Sequence, residues 1–312
     1  MRALEVVRGE GPARLVDVSE SRLPDGVTVD VTHSSLNYKD ALAITGRPGV
    51  IRADALIAGI DLVGTRRDTG ERVLVNGCGL GETHDGGLAE VARVPEEWLV
   101  PVPARFTDAQ AAAIGTAGYT AALCVLALRG IGPGEVAVTG ATGGVGSIAV
   151  MLLAAAGMPV AAATGKGSEH DYLRGLGATT IVDRAELETP GKPLQTERWA
   201  GAIDTVSGPV LATLLSQTRY GGTVAACGMA AAPDLTTSIM PFILRAVTLT
   251  GINSVLTPRS DRLAAWRLLD DRLDLGLLDS LTASIGLDEA VASAERMLAG
   301  ETTGRIVVDV RA

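Results

Sequence analysis

The 312-residue chain has few aromatic side chains, few cysteines and few histidines. Aromatic residues make up 3% of it, so its core must consist mainly of Ala, Val, Leu and Ile. Its three cysteines lie far apart and lack Cys-x-x-Cys spacing, which suits a reducing compartment rather than a disulfide framework. These shortages exclude a small disulfide-bonded secreted domain.

The chain also has little positive charge, with 27 Lys and Arg against 36 Asp and Glu, a net charge of −9. This balance argues against nucleic acid as a partner. A polyanionic ligand would therefore have to bind in a local basic pocket. The amino terminus carries charges where a signal peptide would be apolar, and apolar runs are about half a membrane span in length. We therefore expect a cytoplasmic protein with no membrane partner.

Glycine is abundant, and its most informative cluster lies at residues 140–146, Gly-Ala-Thr-Gly-Gly-Val-Gly. A short apolar strand precedes this cluster, an apolar helix follows it, and a second strand begins near Met158. Glycines allow a sharp turn and close approach to a ligand, and a helix amino terminus favours an anion. The pattern predicts the pyrophosphate-binding turn of a Rossmann unit.

Two different patterns divide the chain. The first third alternates β-like runs with Gly and Pro, which predicts an antiparallel, barrel-like domain with strands at 2–7, 27–34, 56–64, 72–76 and 87–93. Thr107 is expected to cap a helix over 109–114, and a second helix is expected over 117–128. From Glu135 onward, strands alternate with helices, which predicts a doubly wound parallel sheet with strands at 136–140, 160–164, 180–182, 202–206, 223–227 and 248–251. A final strand at 305–310 is expected to return to the first domain.

The residues after the second strand of this sheet indicate the cofactor. An NAD-binding unit places a carboxylate there, whereas this chain has Thr164-Gly165-Lys166-Gly167-Ser168, with no acid until Glu169. Lys166 and the Ser168 hydroxyl would hold a 2′-phosphate, and Arg184 could add a second charge, so NADPH is favoured over NADH. The alternatives are a solvated loop lysine and a surface arginine.

Several longer motifs carry a family resemblance. They are Gly-Ile-Asp-Leu-Val-Gly at 59–64, Gly-Gly-Leu-Ala-Glu at 86–90, Gly-Thr-Ala-Gly-Tyr-Thr-Ala at 115–121, Ser-Ser-Leu-Asn-Tyr-Lys-Asp-Ala-Leu-Ala-Ile-Thr-Gly at 34–46, Trp-Ala-Gly-Ala-Ile-Asp-Thr-Val at 199–206 and Met-Pro-Phe-Ile-Leu-Arg at 240–245. With the glycine-rich turn, they resemble the medium-chain dehydrogenase/reductase superfamily. Within it, the chain resembles the zinc-free quinone-oxidoreductase branch and its acrylyl-CoA reductase subgroup.

The resemblance implies an α/β protein with a GroES-like catalytic domain over 1–116 and 276–312, and a Rossmann NADPH-binding domain over 117–275. It further implies a substrate cleft between them and a homodimer. By matching position, it assigns the pyrophosphate to Gly143, Gly144 and Val145, and the 2′-phosphate to Thr164, Gly165 and Lys166, with Arg184 beside them. It also assigns the nicotinamide half to Met229 and Ser254, a near-terminal cofactor-site arginine to Arg305, and the nicotinamide and substrate to Tyr38.

This chain departs from the zinc enzymes of the superfamily and from its own subgroup. The catalytic Gly-His-Glu of the zinc enzymes is Gly59-Ile60-Asp61 here, and the scattered histidines have no cysteine at ligand spacing, so no metal is expected. Lys166 stands where the family has arginine, which would weaken the bidentate grip on a phosphate. Asp85 replaces an aromatic residue and leaves the particular substrate open.

Without a Lewis acid, a substrate that accepts hydride directly at carbon is favoured. We expect hydride transfer from NADPH to the β-carbon of an alkene conjugated to a thioester or ketone carbonyl. Tyr38 would donate to the enolate or act as acid, although water could do the same, and Asn37 would orient the carbonyl. Lys39 and Asp40 are expected to form a local pair. The alternatives are reduction of quinones or other α,β-unsaturated carbonyls, and a non-catalytic NADPH-binding protein.

Overall fold

The structure, a computed structural model, describes residues 1–189 and 191–312. These residues form sixteen strands: β1 (Arg2–Val7), β2 (Arg14–Asp17), β3 (Val27–Leu36), β4 (Ala55–Ile57), β5 (Asp61–Arg66), β6 (Arg72–Asn76), β7 (Val91–Val94), β8 (Val100–Pro101), β9 (Val136–Val138), β10 (Val160–Thr164), β11 (Thr180–Asp183), β12 (Trp199–Asp204), β13 (Thr218–Ala226), β14 (Thr248–Gly251), β15 (Thr282–Gly286) and β16 (Arg305–Asp309).

The same residues form ten α-helices: α1 (Tyr38–Ile44), α2 (Asp108–Ala127), α3 (Gly144–Ala155), α4 (His170–Gly175), α5 (Arg184–Glu188), α6 (Gly208–Gln217), α7 (Met240–Arg245), α8 (Arg259–Arg272), α9 (Leu275–Ser280) and α10 (Ala290–Leu298).

The chain forms two compact units. Unit 1 comprises Met1–Ala117, Ser254–Thr257 and Leu275–Ala312, and unit 2 comprises Gly118–Asn253 and Pro258–Asp274. The predicted domain division ran at 116/117 and 275/276, and it did not assign the short segment 254–257 to the first domain. That segment packs on the turn after β6, where a Cβ added to Gly77 would lie 3.1 Å from the Cα of Val255.

Unit 1 contains a three-stranded sheet in the order β2-β1-β4 and a larger sheet in the order β15-β16-β3-β5-β6-β8, with β7 also paired to β3. The final strand β16 pairs antiparallel with β3, opposing Val308 to Ser34, and parallel with β15. This pairing confirms that the last strand returns to the first domain. The core of unit 1 contains aliphatic side chains from β3, β5, β6 and β16, including Val29, Leu62 and Val75.

Two features of unit 1 correct the sequence-based prediction. The strand predicted over 56–64 is two strands, because β4 pairs with β1 whereas β5 pairs with β3 and β6. Gly59 separates them at a φ of +105°, packed so closely on the backbone of Leu88 that no Cβ would fit. Helix α1, which was not predicted, follows β3 directly.

Helix α2 is broken at Gly115, where φ is +48° and ψ is −160°. Thr107 caps its start as predicted, because the Thr107 hydroxyl accepts from the amide of Gln110 at 3.1 Å and the Gln110 side chain accepts from the amide of Thr107. By length and a mean hydropathy of 1.4, α2 could span a membrane, but 72% of that window is buried inside the protein. Its burial is that of an interior helix.

Unit 2 is built on six parallel strands in the order β11-β10-β9-β12-β13-β14. The central strands β10 and β12 are buried on both faces, as expected for a parallel sheet covered by helices. Chain order reverses between β9 and β12, and the crevice at such a switch point is where these sheets bind ligands. The predicted α/β class is confirmed, with a Rossmann sheet in unit 2 and two mainly antiparallel sheets in unit 1.

Replacing Gly115 by alanine is expected to lower the free energy of unfolding by about 3 kcal/mol. Alanine disfavours this positive φ, and its Cβ would lie 2.6 Å from Ser35 Oγ and 2.7 Å from Asp61 Oδ2. Urea denaturation measures the loss. Gly130→Ala is the matched control, because Gly130 has a φ of +85° with nothing within 4 Å of its added Cβ. Equal losses in the two variants would contradict a steric role for the buried neighbours of Gly115.

Candidate cofactor and active site

The glycine-rich turn of unit 2 presents backbone amides at the carboxyl edge of the sheet. Gly143 is the N-cap of α3, with no side-chain cap hydrogen bond, and it is exposed, while Gly144 and Val145 are half-buried. A helix leaves the amides of its first turn without intrahelical partners. Gly146 packs against Gly140 so closely that a Cβ would overlap the Gly140 carbonyl, which seats the helix tightly on the strand. This turn therefore has the form of an anion-binding site.

The end of β10 carries the residues predicted to meet a 2′-phosphate. Thr164 is buried, and its hydroxyl accepts a hydrogen bond from the amide of Lys166 at 3.0 Å. Gly165 is exposed and Lys166 is half-buried. Ser168 is exposed on a 3-10 turn, Gly167–Glu169, with its hydroxyl 3.4 Å from a carboxylate oxygen of Glu169. The Thr164 hydroxyl thus shapes the turn that presents Lys166.

Arg184 lies beside the same turn, because β11 pairs with β10 and opposes Asp183 to Thr164. A Cβ added to Gly165 would lie 3.2 Å from Cζ of Arg184, so the guanidinium covers the backbone of Gly165. Its Nε also pairs with Glu188 at 2.8 Å, an exposed pair that contributes little stability. Arg184 thus lies at the turn that carries Lys166, where a second cation was predicted.

The two residues expected at the nicotinamide half lie on the predicted loops. Met229 follows β13 and is 70% exposed, which is unusual for a methionine. Ser254 follows β14, is half-buried and belongs to the segment grouped with unit 1.

In unit 1, Tyr38 is the first residue of α1 and is 49% exposed. Asn37 precedes it and is 8% exposed. The Asn37 amide nitrogen donates to Asp61 at 2.8 Å and to Asp40 at 3.0 Å, and its oxygen accepts from Arg305 at 3.2 Å. Both polar atoms of this side chain are therefore engaged inside the protein. This geometry favours a role in positioning Tyr38 over the expected direct contact of Asn37 with a substrate carbonyl.

The carboxylate of Asp61 is the centre of this buried network, and it is 0% exposed. It accepts from Ser35 Oγ at 2.6 Å, from the side-chain amide of Asn76 at 2.7 Å, and from the amide and hydroxyl of Thr116 at 2.9 and 2.6 Å. The break at Gly115 turns the Thr116 amide toward this carboxylate. Asn76 and Thr116 were not predicted as partners of Asp61, although an aspartate within an apolar strand signals a buried charge that needs donors.

Arg305 supplies the positive charge of the network. Its guanidinium donates to the Ala113 carbonyl at 2.6 Å, to Asn37 Oδ1 and to Ser35 Oγ, and the residue is 3% exposed. Burial lowers the pKa of Arg305, while the nearby carboxylates of Asp61 and Asp40 oppose that shift. Arg305 thus binds protein atoms in the interior of unit 1, which does not support the expected contact with a cofactor.

Asp40 is the second buried carboxyl of this network, 1% exposed. It accepts from the amide of Asn37 at 2.9 Å and from the amide of Ile60 at 2.9 Å. Burial and the charge of Asp61 raise the pKa of Asp40 to about 7, against the effect of these hydrogen bonds. The expected local pair of Lys39 with Asp40 is wrong, because Lys39 Nζ pairs with Glu82 at 2.8 Å. A lysine would have to be buried to reach Asp40.

Within residues 1–189 and 191–312, no group of three or more His, Cys, Asp or Glu side chains is arranged to hold a metal ion. His84 Nδ1 instead lies 2.8 Å from the carbonyl of Asp85, and its ring contacts that of Trp98 edge-on.

Comparison with known proteins adds to this geometry. Residues 144–271 match the family model described as zinc-binding dehydrogenase. The chain is 48% identical to the probable acrylyl-CoA reductase AcuI of Escherichia coli, over 98% of both proteins. It is 41% identical to YhfP of Bacillus subtilis, which carries the name of a quinone oxidoreductase, over 93% of this chain and 92% of YhfP. The chain belongs to the medium-chain dehydrogenase/reductase superfamily.

A solved structure of this superfamily agrees in fold over the whole chain. It is the yhdH oxidoreductase of Salmonella enterica in complex with NADP, with a TM-score of 0.96 and 48% identity over 99% of this chain and 100% of that one. The resemblance stated from motifs alone is confirmed.

Proposed function

We propose that this chain is an NADPH-dependent reductase of activated C=C bonds, with an enoyl thioester such as acrylyl-CoA as its substrate. The observation that carries the proposal is the cationic turn after β10, where Lys166 and Arg184 flank Gly165 and no carboxylate stands at the ribose position. A carboxylate there would repel a 2′-phosphate, whereas the two cations attract it. The name of the AcuI relative supports the enoyl-thioester activity, and the NADP-bound yhdH oxidoreductase supports the cofactor.

The residues of unit 2 fit this cofactor. The start of α3 at Gly143, Gly144 and Val145 suits a pyrophosphate, with the amides of Gly144 and Val145 as donors, and Lys166 with Arg184 suits the 2′-phosphate, with the Ser168 hydroxyl as a further donor. Met229, exposed after β13, would contact the nicotinamide half. When bound, NADPH supplies the hydride.

In unit 1 the reaction needs a donor for the charge that develops on the substrate carbonyl as its β-carbon is reduced. Tyr38 is half exposed at the start of α1, and its phenol can donate a hydrogen bond to that oxygen. Asn37 and Asp40 join the first turn of α1 to the Asp61–Arg305 network by hydrogen bonds. The backbone of Tyr38 is therefore held in a fixed position. Proton delivery to the α-carbon completes the reaction, from the phenol or from water.

We further propose that the enzyme acts without zinc, in the cytoplasm and as a homodimer. Gly59-Ile60-Asp61 replaces the zinc-binding motif, and the net charge of −9 argues against nucleic acid and anionic membranes as partners. The edge strand β14 and the neighbouring exposed side chains Ile239, Ile243 and Leu244 support pairing with a second copy.

The second candidate function is NADPH-dependent reduction of quinones, which the name carried by YhfP favours. An acceptor panel separates the two: NADPH oxidation is followed with acryloyl-CoA, with a benzoquinone and without acceptor. We expect acryloyl-CoA to support oxidation with one propionyl-CoA formed per NADPH. Preference for the benzoquinone would assign the second function. NADPH binding without turnover of either acceptor would indicate a non-catalytic protein.

Lys166→Ala is expected to weaken NADPH binding about tenfold while leaving NADH binding unchanged, because a charge-assisted contact to the 2′-phosphate is lost. Lys166→Arg should retain or improve NADPH affinity, since arginine adds a bidentate contact. Isothermal titration calorimetry measures both. Lys192→Ala, which removes an exposed lysine of the same unit, is the control. An equal loss for NADH would show that Lys166 does not recognise the 2′-phosphate.

Tyr38→Phe is expected to lower kcat by about tenfold or more, since removing one donor to a developing oxyanion costs that much or more in turnover. NADPH affinity should remain within about twofold, because the phenol acts on the substrate. Steady-state kinetics and calorimetry measure the two quantities. Wild-type turnover in this variant would remove the Tyr38 hydroxyl from the chemistry.

A further inference from the structure

Two loops at the carboxyl edge of the unit 2 sheet, those after β9 and β13, are joined to one short turn, residues 204–208, between β12 and α6. The strands β9, β12 and β13 are adjacent and parallel, so their carboxyl ends lie at the same edge. The loop after β9 contains the glycine-rich turn, and the loop after β13 contains Met229. The 204–208 turn therefore lies between the segment proposed to bind the pyrophosphate and the segment proposed to meet the nicotinamide half.

The 204–208 turn is joined to the β9 loop by reciprocal hydrogen bonds between two threonines. The amide of Thr205 donates to Thr139 Oγ1 at 3.0 Å, and the Thr205 hydroxyl donates to the Thr139 carbonyl at 3.0 Å. Gly140 is packed on the Thr205 hydroxyl with no room for a Cβ. A shift of either segment would break both hydrogen bonds.

Backbone hydrogen bonds join the same turn to the β13 loop. The amide of Cys227 donates to the carbonyl of Asp204 at 2.9 Å, and the amide of Ala231 donates to the carbonyl of Val206 at 2.9 Å. Met229 lies between these two attachments. The position of its loop is thus set by the 204–208 turn.

The turn holds an unfavourable backbone conformation. Ser207 has φ of +68° and ψ of −166°, a region that residues other than glycine rarely enter. Asp204 is 0% exposed, and its carboxylate accepts from the Ser207 amide at 2.8 Å and from Thr139 Oγ1 at 2.7 Å. One buried carboxylate thus stabilises the strained turn and ties it to the β9 loop.

We propose that Asp204, acting through Thr139 and Ser207, is a positioning residue that fixes the spacing between the glycine-rich turn and the Met229 loop for hydride transfer. The inference rests on the proposed NADPH-dependent function. The Asp204 carboxylate is hydrogen-bonded to Thr139 and Ser207, whereas the groups proposed to hold the phosphates are Gly143–Val145 and Lys166. A less rigid turn would therefore lower the rate of hydride transfer, because that rate falls steeply when reacting groups are slightly misplaced. The affinity for the cofactor would remain nearly unchanged.

The test compares Thr139→Val with Thr139→Ser. Valine keeps the shape of threonine but removes the hydroxyl that donates to Asp204 and accepts from Thr205, whereas serine retains it. We expect Thr139→Val to lower kcat about tenfold, with the Kd for NADPH within about threefold. A larger primary deuterium isotope effect with C4-deuterated NADPH should accompany the loss. Thr139→Ser should stay close to the wild type, and Asp204→Asn should behave like Thr139→Val.

Ser216→Ala controls for general destabilisation, because it removes a buried hydroxyl, bonded to the Thr213 carbonyl at 2.8 Å, at the far end of α6. It should lower Tm without changing the isotope effect. Unchanged kcat in Thr139→Val, equal losses in the valine and serine variants, or a loss confined to NADPH affinity would each overturn the inference. If Asp204→Asn does not fold, the comparison of Thr139→Val with Thr139→Ser still tests the inference. A wild type that binds no NADPH would refute the proposed function itself and this inference with it.

Discussion

The buried carboxylate of Asp61 is the constraint on which unit 1 depends. An uncompensated charge in a protein interior costs several kcal/mol, so the fold must bring donors to it. Those donors come from Ser35 on β3, Asn37 before α1, Asn76 at the end of β6 and Thr116 after the break in α2. Because one group is shared by four elements, their relative positions are coupled. The half-exposed Tyr38 is the first residue of α1, one of the elements that these hydrogen bonds hold in place.

Unit 2 relies on a different physical device. Its candidate cofactor site is made mostly of backbone: the amides at the start of α3 and the tight turns after β9, β10 and β12. Side-chain charge enters mainly at Lys166 and Arg184, where it can distinguish one nucleotide from another. A protein with a net charge of −9 can thus attract a polyanion at one edge of its sheet.

The sequence was sufficient for the parts of the fold that local patterns specify. The strand–glycine–helix run at 135–157 predicted the turn after β9, and the absence of an acid before Glu169 predicted the cationic turn after β10. It was insufficient where contacts join distant segments. The local sequence pattern does not show that Asp61 contacts Thr116. It also does not show that the side-chain amide of Asn37 is hydrogen-bonded to Asp40, Asp61 and Arg305. Likewise, the pattern over 56–64 reads as one strand, because the close packing that requires Gly59 comes from Leu88.

The late position of Arg305 bears on the order in which the chain acquires structure during synthesis. Ser35, Asn37 and Asp61 leave the ribosome early, yet the cation that neutralises their cluster follows Asn37 by 268 residues. Most of unit 2 is one continuous stretch, Gly118–Asn253, which can fold during translation. Unit 1 cannot complete its buried cluster until Arg305 has been synthesised, so it consolidates after most of unit 2, and loss of β16 would destabilise the amino-terminal segments whose polar side chains Arg305 binds.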